Sequence, residues 1–157
     1  MTLDELAAIE EIKKLKARYC RLMDTKDWDG YGNLYARDAT LNCDTGVSTM
    51  GGDPKPIAEI RGRTEIQSNI SNMLNSAITV HQCHTPEIEL TSPTTATGIW
   101  AMDDVVEFPG STLMGRGHYH ETYIVEEGEW RIASLHLTRI RLETLERNKA
   151  EQTETST

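Results

Sequence analysis

Two kinds of side chain in this sequence could move protons: carboxylates placed among large apolar residues, and histidines within reach of them. The segment 95–108 alternates with a period of two. Asp104 therefore shares a face with Trp100, Met102, Val106 and Phe108, while Asp103 shares the other face with Thr97, Ile99, Ala101 and Glu107. A carboxylate on the bulky face is costly to bury unless a partner compensates its charge. Histidine is the natural partner, and the stretch 78–84 carries His81 and His84 on opposite faces. Parity does not choose between them, because Val80 and Cys83 are both small and apolar. An aspartate that accepts from one ring nitrogen fixes the tautomer and leaves the other nitrogen as a general base.

Tyr19 falls on an apolar helical stripe, so its ring is expected in the interior with a hydroxyl that needs a partner. Asp24 lies five residues further on, off that stripe and near the helix end, where a surface aspartate is ordinary. His118 and His120 alternate on one strand face, an arrangement that can bind a metal. No clear third or fourth ligand accompanies them, and no metal is expected. There is no glycine-rich phosphate loop, nucleophile elbow or GxGxxG, so nucleotide and acyl-enzyme chemistry lack support and no cofactor is expected.

These residues need elements to position them. Leu6, Ile9, Ile12, Leu15, Tyr19 and Leu22 recur at spacings of three and four, which predicts one helix over 3–24, with Asp4 and Glu5 at its positive end. A short helix over Trp28 to Tyr35 and a strand from Ala39 to Cys43 follow. Gly46, Gly51, Gly52, Pro54 and Pro56 make 44–59 an irregular loop of the kind that forms a lid or pocket rim. A third helix is expected from about Arg63 to Leu74, with Ile66, Ile70, Met73 and Leu74 inward. Period two then predicts strands at 78–84, 87–91, 95–108, 113–126 and 129–142, separated by Pro93, Pro109-Gly110 and Glu127-Gly128.

The fold class is therefore α+β: a curved antiparallel or mixed sheet forming a cone closed by N-terminal helices, with room for a small apolar ligand. One domain over 1–145 and a disordered polar tail over 146–157 are expected in the 157 residues. The net charge of −9 argues against nucleic acid or an anionic membrane as partner. No run approaches the ~20 apolar residues of a membrane span. Cys20, Cys43 and Cys83 are widely spaced and form no CxxC. With no signal-peptide core near Met1, they point to a reducing, cytoplasmic setting. Long apolar strands in an acidic chain suggest a homo-oligomer, whose number the sequence does not give.

Three blocks resemble a known family. The segment 18–29 (RYCRLMDTKDWD) resembles the first-helix signature of SnoaL-like proteins, within the nuclear transport factor two-like superfamily. The segment 81–88 (HQCHTPEI), with 94–98 (TTATG) and Trp100, is closer still to the bile acid 7α-dehydratases of that group. The stretch 128–132 (GEWRI), followed by Arg139-Ile140, fits the superfamily in general. The resemblance implies a pocket tyrosine at Tyr19, a helix-end aspartate at Asp24, a catalytic histidine at His81 rather than His84, a histidine-orienting aspartate at Asp104 and a pocket arginine at Arg139. Such enzymes begin an elimination with a His–Asp pair and no cofactor, Tyr19 and Asp24 assisting the departing group. Trp100, Met102, Phe108 and His120 complete the expected substrate contacts. The implied activity is dehydration of a hydroxylated steroid-like or polycyclic ketone. A double-bond isomerase or cyclase of the same fold, or a non-catalytic small-molecule-binding or subunit protein, are the alternatives. Loop 44–59 and the segment around His118 and His120 depart from that group.

Overall fold

The computed structural model describes residues 1–146. The chain runs α1 (Leu3–Asp24), α2 (Trp28–Gly32), β1 (Tyr35–Cys43), β2 (Ile60–Arg61), α3 (Arg63–Leu74), β3 (Ile78–Ser92), β4 (Thr95–Glu107), β5 (Ser111–Glu126) and β6 (Glu129–Glu146). α1 begins where a capping box allows it: Thr2 accepts from the Glu5 backbone N–H, and the Glu5 carboxylate accepts from that of Thr2 at 2.6 Å. Its inward face is Ile12, Leu15, Tyr19, Leu22 and Met23, together with Lys16, while Leu6 at the expected start of the stripe is exposed. α2 stops at Gly32, three residues short of the expected end, because β1 already starts at Tyr35.

The six strands form one sheet in the order β2-β1-β6-β5-β4-β3. The β1–β6 pairing is parallel and the others are antiparallel, so the sheet is mixed. Glu127 and Gly128 turn β5 into β6 with φ of 54° and 78°, the two positive values that a tight hairpin matching strand twist requires. The two strands expected at 78–84 and 87–91 are a single strand, β3. The register shifts between His84 and Glu87, where Thr85 has φ of 31°, and pairing to β4 resumes beyond it. Helices cover one face only. That inner face carries Trp100, Met102, Asp104 and Val106 from β4, and Gly115, Gly117, Tyr119, Glu121 and Tyr123 from β5. The expected polar tail begins at Glu146, which closes β6; the rest of it lies outside the described residues. Among the described residues no helix is long and apolar enough to cross a membrane.

β3 lies at one edge of the sheet, and α1 packs along it. An edge strand presents backbone N–H groups with no neighbouring strand to receive them. The last residue of α1 supplies what that edge lacks.

Candidate active site

Asp24 ends α1, where the helix dipole disfavours a negative charge. Hydrogen bonds from β3 compensate it. The His81 backbone N–H donates to Oδ2 at 2.8 Å, His81 Nδ1 donates to Oδ1 at 2.7 Å, and the Thr79 hydroxyl donates to Oδ1 at 2.9 Å. Burial pushes the Asp24 carboxyl up, but the bonds from His81 and Thr79 outweigh it and hold the group below its ordinary value. An ionised acceptor at Nδ1 fixes the proton there and leaves Nε2 as the basic nitrogen. Lys26 extends the chain outward, its Nζ donating to the Thr79 hydroxyl at 2.9 Å from a backbone at φ 62°.

This pairing corrects the expectation that Asp104 orients the histidine. His81 and Asp104 are direct cross-strand partners on the inner face. Yet Asp104 is taken by Arg139, which donates from Nη1 to Oδ1 at 2.7 Å and from Nη2 to Oδ2 at 2.9 Å. Both side chains of the pair are buried. A two-pronged guanidinium compensates a buried carboxylate more fully than one ring N–H, and His81 turns to the helix end instead. Gly115 lies across from Asp104 on β5 because nothing larger fits; a Cβ there would overlap Arg139 Nη1 and Asp104 Oδ1. Asp24 is accordingly the residue that grips the ring.

Between the helices and the inner face lies a cavity of about 210 Å³. Tyr19, His81, Asp104, Phe108 and Arg139 line it, as the sequence led one to expect. Leu41, Ile70, Val106, Leu113, Leu135 and Leu137 make its walls apolar. Asp44, Thr45 and Ile57 also reach it, so loop 44–59 forms part of the rim. That loop is pinned by a bridge between Asp44 and Pro56 and by the Ser48 backbone N–H donating to the Arg139 carbonyl at 2.8 Å.

Tyr19 packs on Tyr31 and Tyr119, each at 5.5 Å between ring centroids, with Lys16 Nζ 3.7 Å from its ring centre. Burial raises the Tyr19 hydroxyl well above its ordinary value, with the neighbouring tyrosines adding to the effect, so it remains a proton donor. Lys16 itself is buried and paired to Glu121, which also accepts from the Tyr123 hydroxyl.

Three expected substrate contacts do not line this cavity. Trp100 is buried on the inner face, but its indole N–H donates to the Tyr123 hydroxyl at 2.8 Å within the packed tyrosine end of the interior. Met102 is buried with its sulfur 3.8 Å from Arg139 Nη1, behind the ion pair. His120 stands on the outer face of the sheet, where Nε2 meets the Thr138 hydroxyl at 3.1 Å. Its strand parity opposes that of Tyr119, which faces inward. His118 and His136 share the outer face with it, each ring centroid 6.4 Å from that of His120. Among the described residues no three His, Cys, Asp or Glu side chains are placed to hold a metal. His84 is also outward and exposed, bonded to Asp103 at 3.1 Å. Sequence reasoning missed Thr79 and Lys26; the only signal was that Thr79 shares the His81 face, two residues away.

A mixed sheet covered on one face by helices, with an apolar cavity between, is the architecture of the nuclear transport factor two-like fold. An NTF2-like protein with a cystatin-like fold from Novosphingobium aromaticivorans matches at a TM-score of 0.70 and 19% identity, covering 99% of this chain and 93% of that one. A protein of the same organism assigned as a scytalone dehydratase matches at a TM-score of 0.73 and 16% identity, over 94% and 93% of the two chains. The chain belongs to the SnoaL-like domain family, whose model matches residues 4–136. It is also 29% identical, over 143 residues, to the probable cyclase FGR4 of Gibberella zeae, covering 87% of this chain and 92% of that protein.

Proposed function

We propose that the protein is a cofactor-independent lyase that removes water from a hydroxylated steroid-like or polycyclic ketone. The observation that carries this reading is the Asp24–His81 pair at the edge of an apolar cavity that Tyr19 also lines. His81 Nε2 takes a proton from the carbon next to the ketone, where the carbonyl acidifies it. The electron pair left behind forms the new double bond as the C–O bond to the hydroxyl breaks. Tyr19 gives its proton to the departing hydroxide, and His81 returns one to Tyr19, so the products are an enone and water. Arg139, neutralised by Asp104, forms a polar wall that positions substrate oxygen without adding net charge. The name of the scytalone dehydratase neighbour supports an elimination. The name of the probable cyclase relative favours a second reading, a ring closure or double-bond shift begun by the same base.

Val80, Ile99, Val105 and Ile124 are exposed on the outer face of the sheet, which supports a homo-oligomer that covers them. Three widely spaced cysteines without a CxxC pairing support a cytoplasmic setting. The test is to incubate the protein with a panel of hydroxylated polycyclic ketones and follow product mass. A product lighter by one water is expected. An isobaric product with altered ultraviolet absorption would give the reaction to the second reading, and an unchanged panel would sink both.

A further inference from the structure

Two of the three cysteines, 63 positions apart in sequence, meet in the fold: Cys20 Sγ on α1 lies 3.4 Å from Cys83 Sγ on β3. Both are half-buried thiols at an open surface depression, which Lys13, Lys16, Thr85 and Pro86 also line. Each neighbours the site in sequence. Cys20 follows Tyr19 on the helix, and Cys83 lies two residues beyond His81 on the inner face of the strand. The third cysteine, Cys43, sits on β1 with its sulfur toward the Asp44 carbonyl at 3.5 Å.

We propose that Cys20 and Cys83 are a redox modification site, converted reversibly to a disulfide by a hydroperoxide. The reading stands apart from the elimination chemistry proposed above. A disulfide needs about 2.05 Å between sulfurs, so the pair must close by a little over an ångström, within reach of side-chain rotation in a half-open setting. The two thiols are not equivalent. The contact with Cys83 holds the Cys20 thiol below its ordinary value despite burial, with the Lys16 charge assisting. The same contact, joined by burial, raises Cys83. We assign Cys20, one helical turn beyond the Lys16 ammonium and lining the same depression, as the attacking thiolate and Cys83 as the resolving thiol. Cys20 sulfur attacks the terminal peroxide oxygen and the O–O bond breaks, leaving a sulfenic acid on Cys20 and a hydroxide, or an alkoxide from an organic hydroperoxide, that takes up a proton. Cys83 sulfur then attacks the sulfenic sulfur, the S–O bond breaks, and water leaves. The two thiols lose two electrons in all and the peroxide gains them. The resulting bond staples the helix that carries Tyr19 and Asp24 to the strand that carries His81. Any thiol reductant reverses it, as a cytoplasmic switch requires.

The test is to treat the native full-length protein with hydrogen peroxide and map its peptides by mass spectrometry without reduction. A Cys20–Cys83 cross-link should form, Cys43 should remain a thiol, and dithiothreitol should restore all three thiols. C43S should cross-link as the wild type does, and C83S should stop at a Cys20 sulfenic acid that dimedone traps. Closing a loop of this length predicts a rise in Tm on the order of 10 °C in the oxidised protein. Oxidation of Cys43 first, over-oxidation of Cys20 without a cross-link, or a cross-link that lowers Tm would each overturn the proposal.

Discussion

His81→Gln is expected to lower kcat/KM by about 10² to 10⁴-fold on any substrate that the wild type turns over, the range that a positioned general base contributes. Glutamine is close to histidine in length, and its amide can still donate to Asp24, so the ring nitrogen is lost without opening the contact. Asp24 also keeps its bonds from the residue 81 backbone and from Thr79. The fold should therefore survive, as far-ultraviolet circular dichroism and Tm can verify. His84→Gln serves as the internal control. That histidine faces solvent on the other side of β3, bonded to Asp103, and its loss should leave turnover within a factor of about two. A His81→Gln enzyme within tenfold of the wild type would remove His81 from the chemistry.

Arg139→Met carries the largest expected cost to stability. The guanidinium is paired through two bonds to Asp104, and both side chains are almost fully out of water. Removing the cation leaves a buried carboxylate with no compensating charge, at a cost of about 3–5 kcal/mol, seen as a fall in the urea midpoint. Replacing both members tests the cause. Asp104→Leu in the Arg139→Met background should recover much of the loss, because a buried ion pair is often no better than well-packed apolar residues of similar volume. A loss below ~1 kcal/mol in the single variant would mean that water reaches Asp104 and that the pair is not a closed wall of the cavity.

How far the sequence led depends on whether each feature is local. The bounds of α1 and α3 follow from helical spacing and agree with the structure to the residue. The alternation that placed Asp104 among bulky apolar residues is likewise local, and Asp104 is buried beside Met102 and Val106. The partners are not local. Arg139 reaches Asp104 across two hairpins, after a shift in the β5–β6 register between Arg116 and Gly117 that no spacing rule signals. Asp24 reads as an ordinary surface carboxylate because the helical stripe ignores the end of the helix. What holds it is the open edge of β3, a property of strand order rather than of sequence. Parity left His81 and His84 tied. The tie breaks because the even positions of β3 face solvent and the odd positions face inward up to the shift at His84, a side fixed only once β3 pairs with β4. The resemblance pointed to His81 and Tyr19, which both line the cavity, but it gave the ring to Asp104, which Arg139 holds instead.

The Asp24–His81 contact decides which ring nitrogen is the base, and the protonation of the His81 ring reports it. Two-bond nitrogen–hydrogen correlation spectra of histidine-labelled protein distinguish the two neutral tautomers. Neutral His81 is expected to carry its proton on Nδ1 in the wild type and in Asp104→Asn. In Asp24→Asn the Nδ1–H tautomer should give way, with a loss of turnover of about 10²-fold or more. A wild-type ring protonated on Nε2, or a tautomer that changes with Asp104 and not with Asp24, would contradict that role of Asp24.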